Sequence, residues 1–275
     1  ETTSNGNVYT DITQSLSLGG LTYGVTNMEL TSAYASIANG GTYQKPVLYT
    51  KVVDHNGNIL LSNTQKGKRV MKESTAFLLT DAMKDVITKG TGKSAKLSSS
   101  MAVAGKSGTT SNSYDYWFSG YTPYHTASVW MGYDKNTNFA SDNTHKKIWA
   151  KVMNEIIKTK QEQTTDFKKP ADIVKAKVCK ESGKLAIKEV CDHDPRGSRV
   201  ITEYFEKGTV PTQTCDIHVA VEVCKTSDKL ATKNCPANKK QRKIYIVRKK
   251  GSHGKTADTP YMLPKKYQSV FCKKH

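Results

Sequence analysis

The run Met101-Ala102-Val103-Ala104-Gly105-Lys106-Ser107-Gly108-Thr109-Thr110 narrows the folds open to this chain more than any other stretch. Four apolar residues lead, through Gly105, into a lysine, a hydroxyl residue, a glycine and two more hydroxyls. That order reads as a buried strand whose far end is polar and suited to receiving an anion. Each residue type has a chemical reason. A fixed ammonium supplies positive field, hydroxyls donate to and accept from a carboxylate, and a glycine without Cβ lets another backbone lie close against the strand. Downstream, Asp115 to Pro123 and Ala127 to Asp134 read as a hairpin pair turning near Pro123-Tyr124-His125.

The flanking sequence supplies helices. Thr26 suits an N-cap with Glu29 as its capping-box partner. Met28, Leu30, Ala33, Tyr34, Ile37 and Ala38 then give an apolar stripe over residues 27–39, and Gly40-Gly41 stops it. Residues 48–53 and 59–61, split by the turn-rich run Asp54 to Asn58, read as a hairpin. Ala76, Leu79, Met83, Val86 and Ile87 predict a helix over 72–87; Ile148, Trp149, Val152, Met153, Ile156 and Ile157 predict another over 147–158. Residues 1–15, rich in Thr, Ser and Asn, read as loop or as the ragged edge of a domain. The Gly-Lys-Ser of residues 92–94 invites a phosphate-loop reading, which fails because the first glycine of that loop would stand at Ile87. A flexible loop near substrate is the remaining reading.

In order and wording, these runs resemble the transpeptidase domain of class A penicillin-binding proteins of Gram-positive bacteria. Leu16-Ser17-Leu18-Gly19-Gly20-Leu21-Thr22-Tyr23-Gly24-Val25-Thr26 and the helix end Ala38 to Pro46 carry the likeness along with the K-S-G strand and its hairpin. K-T-G is an established motif of that serine-acylating group, and here Ser107 stands for the commoner threonine, keeping the hydroxyl. The resemblance implies an α/β (α+β) fold, a mainly antiparallel sheet with flanking helices, incomplete in this chain and followed by a small β-rich extension. It implies acyl transfer that cross-links peptidoglycan stem peptides and is intercepted by β-lactams. Lys106, Ser107, Gly108 and Thr109 would be catalytic, while Ser107, Thr109, Thr110 and Trp117 would contact substrate. No cofactor is implied. The setting implied is the extracytoplasmic face of a cell membrane, with the anchor outside this sequence.

Two motifs that the resemblance calls for are missing in the right order. S-x-x-K, which would give the acylated serine and its lysine base, and S-x-N should both precede K-S-G. Ser252-His253-Gly254-Lys255 and Ser141-Asp142-Asn143 fit the patterns literally but follow Lys106. The upstream half of the domain, carrying both motifs, is therefore an expected partner of this chain. The rival class is a non-catalytic module that binds a wall polymer or a partner protein.

At 275 residues the chain has room for two units, and the polar run before Pro170 places the boundary at 167/168. Residues 168–275 hold 25 Lys/Arg against 11 Asp/Glu, a net +14 of the chain's +18. Such a face favours anionic polymer, including a phosphate-rich wall polymer; nucleic acid is disfavoured because no recognition motif accompanies the charge. All six cysteines (Cys179, Cys191, Cys215, Cys224, Cys235, Cys272) fall in this second unit. Lys177 to Ala186 and Glu222 to Ala231 form an internal repeat, and each copy closes with a further cysteine, Cys191 or Cys235. With no C-x-x-C and no paired histidines at ligand spacing, the expectation is no metal. Local disulfides Cys179–Cys191 and Cys224–Cys235 are expected instead, leaving Cys215 and Cys272. His55, His125, His145, His193, His218, His253 and His275 read as surface histidines. Trp117, Trp130 and Trp149 read as core residues, with Trp117 bordering the cleft. Asp115 either orients the Lys106 edge or caps the turn beside it.

Overall fold

Thr26 caps the first long helix as its sequence predicts. Its side chain accepts from the Glu29 N–H, and the Glu29 carboxylate accepts from the Thr26 N–H. In the computed structural model, which describes residues 2–248 and 256–274, this helix belongs to the first of two units, Glu1–Pro170 and Ala171–His275. The first unit runs β1 (Thr2–Ser4), β2 (Asn7–Tyr9), α1 (Asn27–Ala38), β3 (Thr42–Tyr43), β4 (Lys51–Val53), β5 (Ile59–Ser62), β6 (Lys68–Arg69), α2 (Glu73–Thr88), β7 (Ala104–Thr109), β8 (Asp115–Tyr121), β9 (Thr126–Gly132) and α3 (Thr144–Lys160). The second runs β10 (Ile173–Cys179), β11 (Val200–Glu206), β12 (His218–Cys224), β13 (Lys229–Leu230), β14 (Lys240–Ile246) and α4 (Lys266–Ser269). Every ladder between these strands is antiparallel, in small sheets beside few helices, so the mixed α/β class is the one observed.

The sheet β7-β8-β9 organises the first unit. Phe118 on β8 is fully buried and meets the equally buried Trp149 of α3 edge to face, with ring centroids 5.2 Å apart. Ile87, Leu97, Met101, Val103, Met153 and Ile157 complete that core. The Trp149 indole N–H donates to the Ala127 carbonyl at 2.9 Å, so its one polar atom is satisfied where it is buried. Truncating such a side chain to alanine costs about 3–5 kcal/mol. On the opposite face Tyr121 packs with Met83 and Ala104, and Tyr34, Ile37 and Phe167 cover them.

Helical spacing located α2 and α3, but the buried stripes are rotated from the most apolar reading. On α2 the core face is Ala76, Thr80, Met83 and Ile87, while Leu79 is exposed. On α3 it is Lys146, Trp149, Ala150, Met153 and Ile157, while Ile148 and Val152 are exposed. On α1 the buried positions are Ser32 and Ser36, whose hydroxyls donate to the carbonyls of Met28 and Ser32. Small, internally satisfied side chains let that helix lie close on β8 and β9. Residues 2–9 correct the loop expectation for the start of the chain. Asn5 (φ 51°) and Gly6 (φ 79°) both adopt left-handed backbone, and the Ser4↔Asn7 pairing around them makes β1-β2 a tight hairpin. Asn-Gly is the dipeptide that such a turn favours.

Candidate active site

β7 begins inside the core and ends outside it: Ala104 and Gly105 are buried, whereas Lys106, Gly108 and Thr109 are exposed. Strand alternation puts Lys106 and Gly108 on one face and Ser107 and Thr109 on the other. β7 pairs with β8 on one side, through Lys106↔Ser119, Ser107↔Phe118, Gly108↔Trp117 and Thr109↔Tyr116. Among the described residues its other edge has no partner strand. The two glycines in the strand serve opposite purposes. A Cβ on Gly105 would sit 2.8 Å from both the Phe118 ring and the Ser119 carbonyl, so close packing inside the chain requires this glycine. A Cβ on Gly108 would meet only the Trp117 Cβ, at 3.6 Å, so nothing inside the chain fills the space it leaves.

Around this edge the polar groups are held in place. The Lys106 ammonium donates to the Ser107 carbonyl at 2.7 Å, and the Ser107 and Thr91 hydroxyls are 3.1 Å apart. Behind them the buried Lys146 ammonium donates to the Thr91 carbonyl and to Asn143 Oδ1, both at 2.8 Å. Burial first, and then the charge of Lys106, hold the Lys146 pKa below the ordinary lysine range. Lys146 thus ties the residue 90–94 loop to the start of α3 and adds a second fixed positive charge. Sequence reasoning missed it, although 146, 149, 150, 153 and 157 form one helical stripe and the lysine occupies its first position.

At the strand's end the Asp115 question resolves in favour of the turn. The Thr110 hydroxyl donates to Asp115 Oδ2 and accepts from the Asp115 N–H, both at 2.9 Å, and the Trp130 indole donates to Asp115 Oδ1 at 2.8 Å. Thr110 is therefore committed to closing the β7–β8 connection. Trp117 is half-buried opposite Gly108, its ring centroid 6.4 Å from that of Trp130. Ser141-Asp142-Asn143 forms the lead-in to α3: the Ser141 hydroxyl meets His145 Nδ1 at 3.2 Å, and Asp142 takes an ion pair from Lys147 at 2.7 Å. Ser252 to Lys255 lies outside the described residues. A separate cleft of about 510 Å³, lined by Lys84, Leu97, Met101 and Asp166 among others, does not include the strand residues Lys106 to Thr109.

Residues 1–158 match the family model described as the penicillin binding protein transpeptidase domain. The chain belongs to that family. Residues 169–220 also match the penicillin-binding protein 1A C-terminal domain. The chain is 36% identical over 256 residues to penicillin-binding protein 1A of Clostridium botulinum strain Langeland, covering 91% of this chain and 30% of that protein. It is 32% identical over 220 residues to penicillin-binding protein 1A/1B of Bacillus subtilis, covering 74% and 24%. It thus spans less than a third of these relatives. Among solved structures, penicillin-binding protein 1A of Haemophilus influenzae shares the fold, with a TM-score of 0.57 and 24% identity over 74% of this chain and 35% of that one.

The transpeptidase match thus stops before the second unit, whose sulfurs depart from expectation. All six cysteines are buried and none forms a disulfide, so the Cys179–Cys191 and Cys224–Cys235 staples are not made. The reason lies in the grouping: Cys179, Cys191, Cys215 and His218 converge on one point, and Cys224, Cys235 and Cys272 on another. His218 and His145 are buried, correcting the surface reading of both. His218 Nδ1 lies 3.4 Å from Cys179 Sγ and 3.3 Å from Cys215 Sγ, and its Nε2 meets Asp194 Oδ2 at 2.6 Å. The C-x-x-H spacing of Cys215 and His218 was the overlooked sequence signal.

Proposed function

We propose that this chain supplies the substrate-binding strand of a peptidoglycan D,D-transpeptidase acting at the extracytoplasmic face of a cell membrane. The observation that supports this best is the open edge of β7, where Lys106 and Gly108 share one face, Ser107 and Thr109 the other, and nothing inside the chain fills the space that Gly108 leaves. A stem peptide ending in D-alanyl-D-alanine lies along that edge. Its terminal carboxylate is held by the Ser107 and Thr109 hydroxyls in the field of Lys106, with Lys146 behind.

The nucleophile is a serine in the upstream half of the domain. Its Oγ attacks the penultimate D-alanine carbonyl, and the Thr109 N–H is one donor to the developing oxyanion. Collapse breaks the C–N bond, and the terminal D-alanine leaves as the amine after gaining a proton, which Lys106 helps to relay. The amine of a second stem peptide then attacks the ester carbonyl, forms the cross-link and returns the serine. A β-lactam presents a similar amide and carboxylate and acylates the same serine. Trp117 flanks the peptide beside Gly108.

Labelling with a fluorescent penicillin tests this reading. The chain alone is expected to stay unlabelled. The same chain fused behind a family member's segment bearing S-x-x-K and S-x-N is expected to label on the serine of that segment. A labelled serine mapped within residues 1–275, or a fusion that folds and does not label, would overturn the assignment.

A further inference from the structure

The second unit repeats in three dimensions what its sequence repeats. Cys179 ends β10 and Cys224 ends β12, and each is followed by a tight turn closed by a bond of 2.8 Å to its own carbonyl, from Gly183 N–H in one copy and Asp228 N–H in the other. Leu185 and Leu230 then form matching parallel bridges, to Thr214 and Phe271. The next residues along, Cys215 and Cys272, donate their N–H groups to the carbonyls of Leu185 and Leu230, both at 2.8 Å. Cys191 Sγ accepts from the Ile187 N–H and Cys235 Sγ from the Thr232 N–H, each at 3.3 Å. Two copies of one supersecondary unit therefore each deliver three sulfurs to one interior point.

We propose that each copy is a structural zinc site, held by Cys179, Cys191, Cys215 and His218 in the first and by Cys224, Cys235 and Cys272 in the second. Within each cluster the described ligand atoms all lie within 4.8 Å of one another. Four ligands placed tetrahedrally about 2.0–2.3 Å from a single zinc ion stand less than about 4 Å apart. A set of sulfurs with one imidazole nitrogen suits zinc. The carboxylate behind the histidine is that of a built site. Arg196 donates to both Asp194 oxygens, Nε to Oδ1 at 2.9 Å and Nη2 to Oδ2 at 2.6 Å. The Asp194 carboxylate accepts the Nε2 proton of His218, which turns the Nδ1 lone pair toward the sulfurs. Arg196 also binds Asp258 at 2.6 Å, anchoring the network to the end of the unit.

In the second copy three sulfurs are gathered among the described residues. The Lys274 N–H already donates to Cys272 Sγ at 3.4 Å. On binding, each thiol gives up its proton to solvent and the sulfur lone pair bonds to zinc, with no change of oxidation state.

The test is metal analysis of the full chain, produced with zinc in the medium and purified without chelator, together with thiol mapping under denaturation. Two zinc ions per chain and six alkylatable thiols are expected. Cys179→Ser should lose one ion and Cys224→Ser the other. Asp194→Asn, which keeps every ligand, should weaken the first site by roughly 10–100-fold. Cobalt loaded in place of zinc should give the visible absorption of tetrahedral, thiolate-rich coordination, which a serine variant that misfolds cannot mimic. Disulfide-linked peptides, iron in place of zinc, or a chain that takes up no zinc on titration would overturn the proposal. A single ion lost with Cys179→Ser and indifferent to Cys224→Ser would overturn the second site.

Discussion

The β7 edge and the cysteine clusters both gather polar side chains at one place, and they dispose of them in opposite ways. At β7 the chain leaves Lys106, Gly108 and Thr109 exposed on a strand with one paired side. In the second unit Cys179, Cys191, Cys215 and His218 are all buried, and a further shell holds the histidine through Asp194 and Arg196. Exposure on an unpaired edge suits groups that must exchange one peptide for another. Burial with every ligand oriented from behind suits groups that bind once and stay bound. On the two proposals together, one chain separates a surface for turnover from two closed centres for stability.

The sharpest way to break this comparison is a chelator. Structural zinc in small domains carries an apparent binding free energy of about 10–16 kcal/mol that is also folding free energy, so removing it should abolish the second unit's unfolding transition. The first unit's transition should remain. Differential scanning calorimetry with and without chelator checks this, and loss of both transitions, or of neither, would remove the division of labour.

A smaller effect separates two glycines three residues apart. Gly105→Ala should destabilise the first unit by about 1–3 kcal/mol, because its Cβ has no room beside Phe118 and Ser119. Gly108→Ala should leave the melting temperature unchanged while impairing acylation of the fused enzyme, because the Cβ enters the space meant for substrate. Equal losses of stability would mean that the edge is packing and not a site.

Lys146 sharpens the picture of the β7 edge. Lys146→Met keeps the stem on the α3 stripe and removes the ammonium that holds Thr91. About a 10-fold fall in acylation rate is expected, less than for a group that faces substrate directly. A parental rate would confine Lys146 to packing.

The smallest effect concerns His145. Burial, and then the charge of Lys146, lower its pKa from the ordinary 6.5, while Asp142 raises it; burial prevails. The folded state therefore favours the neutral ring, and the unfolded chain binds the proton first as pH falls below about 6.5. The contribution is present above that pH and is lost on acidification toward the lower folded value. The first unit's melting temperature should drop between about pH 7 and 5, and His145→Gln should flatten the drop. An unchanged slope in the variant would assign the pH dependence elsewhere.

What could be read from sequence divides along the same lines. Thr26 with Glu29, the β8-β9 hairpin and the K-S-G strand were legible because local rules and tertiary packing agree there. Asn5-Gly6 was legible too, but lost in a Thr-rich run that read as loop. Lys146 and His218 were hidden for a different reason: each is a polar residue whose burial is licensed by partners far away in sequence, Thr91 in one case and Asp194 in the other. The repeat was visible, and the spacing within each copy suggested pairs. Only the parallel bridges from Leu185 and Leu230 bring a third sulfur to each centre, and bridges between segments tens of residues apart leave no local pattern.

The most direct measurement of the central claim is the second-order rate of β-lactam acylation in the fused transpeptidase, compared between the parent and Lys106→Ala. Losing the ammonium beside the substrate carboxylate should slow acylation by roughly 10²–10³-fold with the melting temperature preserved. A Lys106→Ala enzyme that is acylated at the parental rate would contradict the assignment of β7 as the catalytic strand.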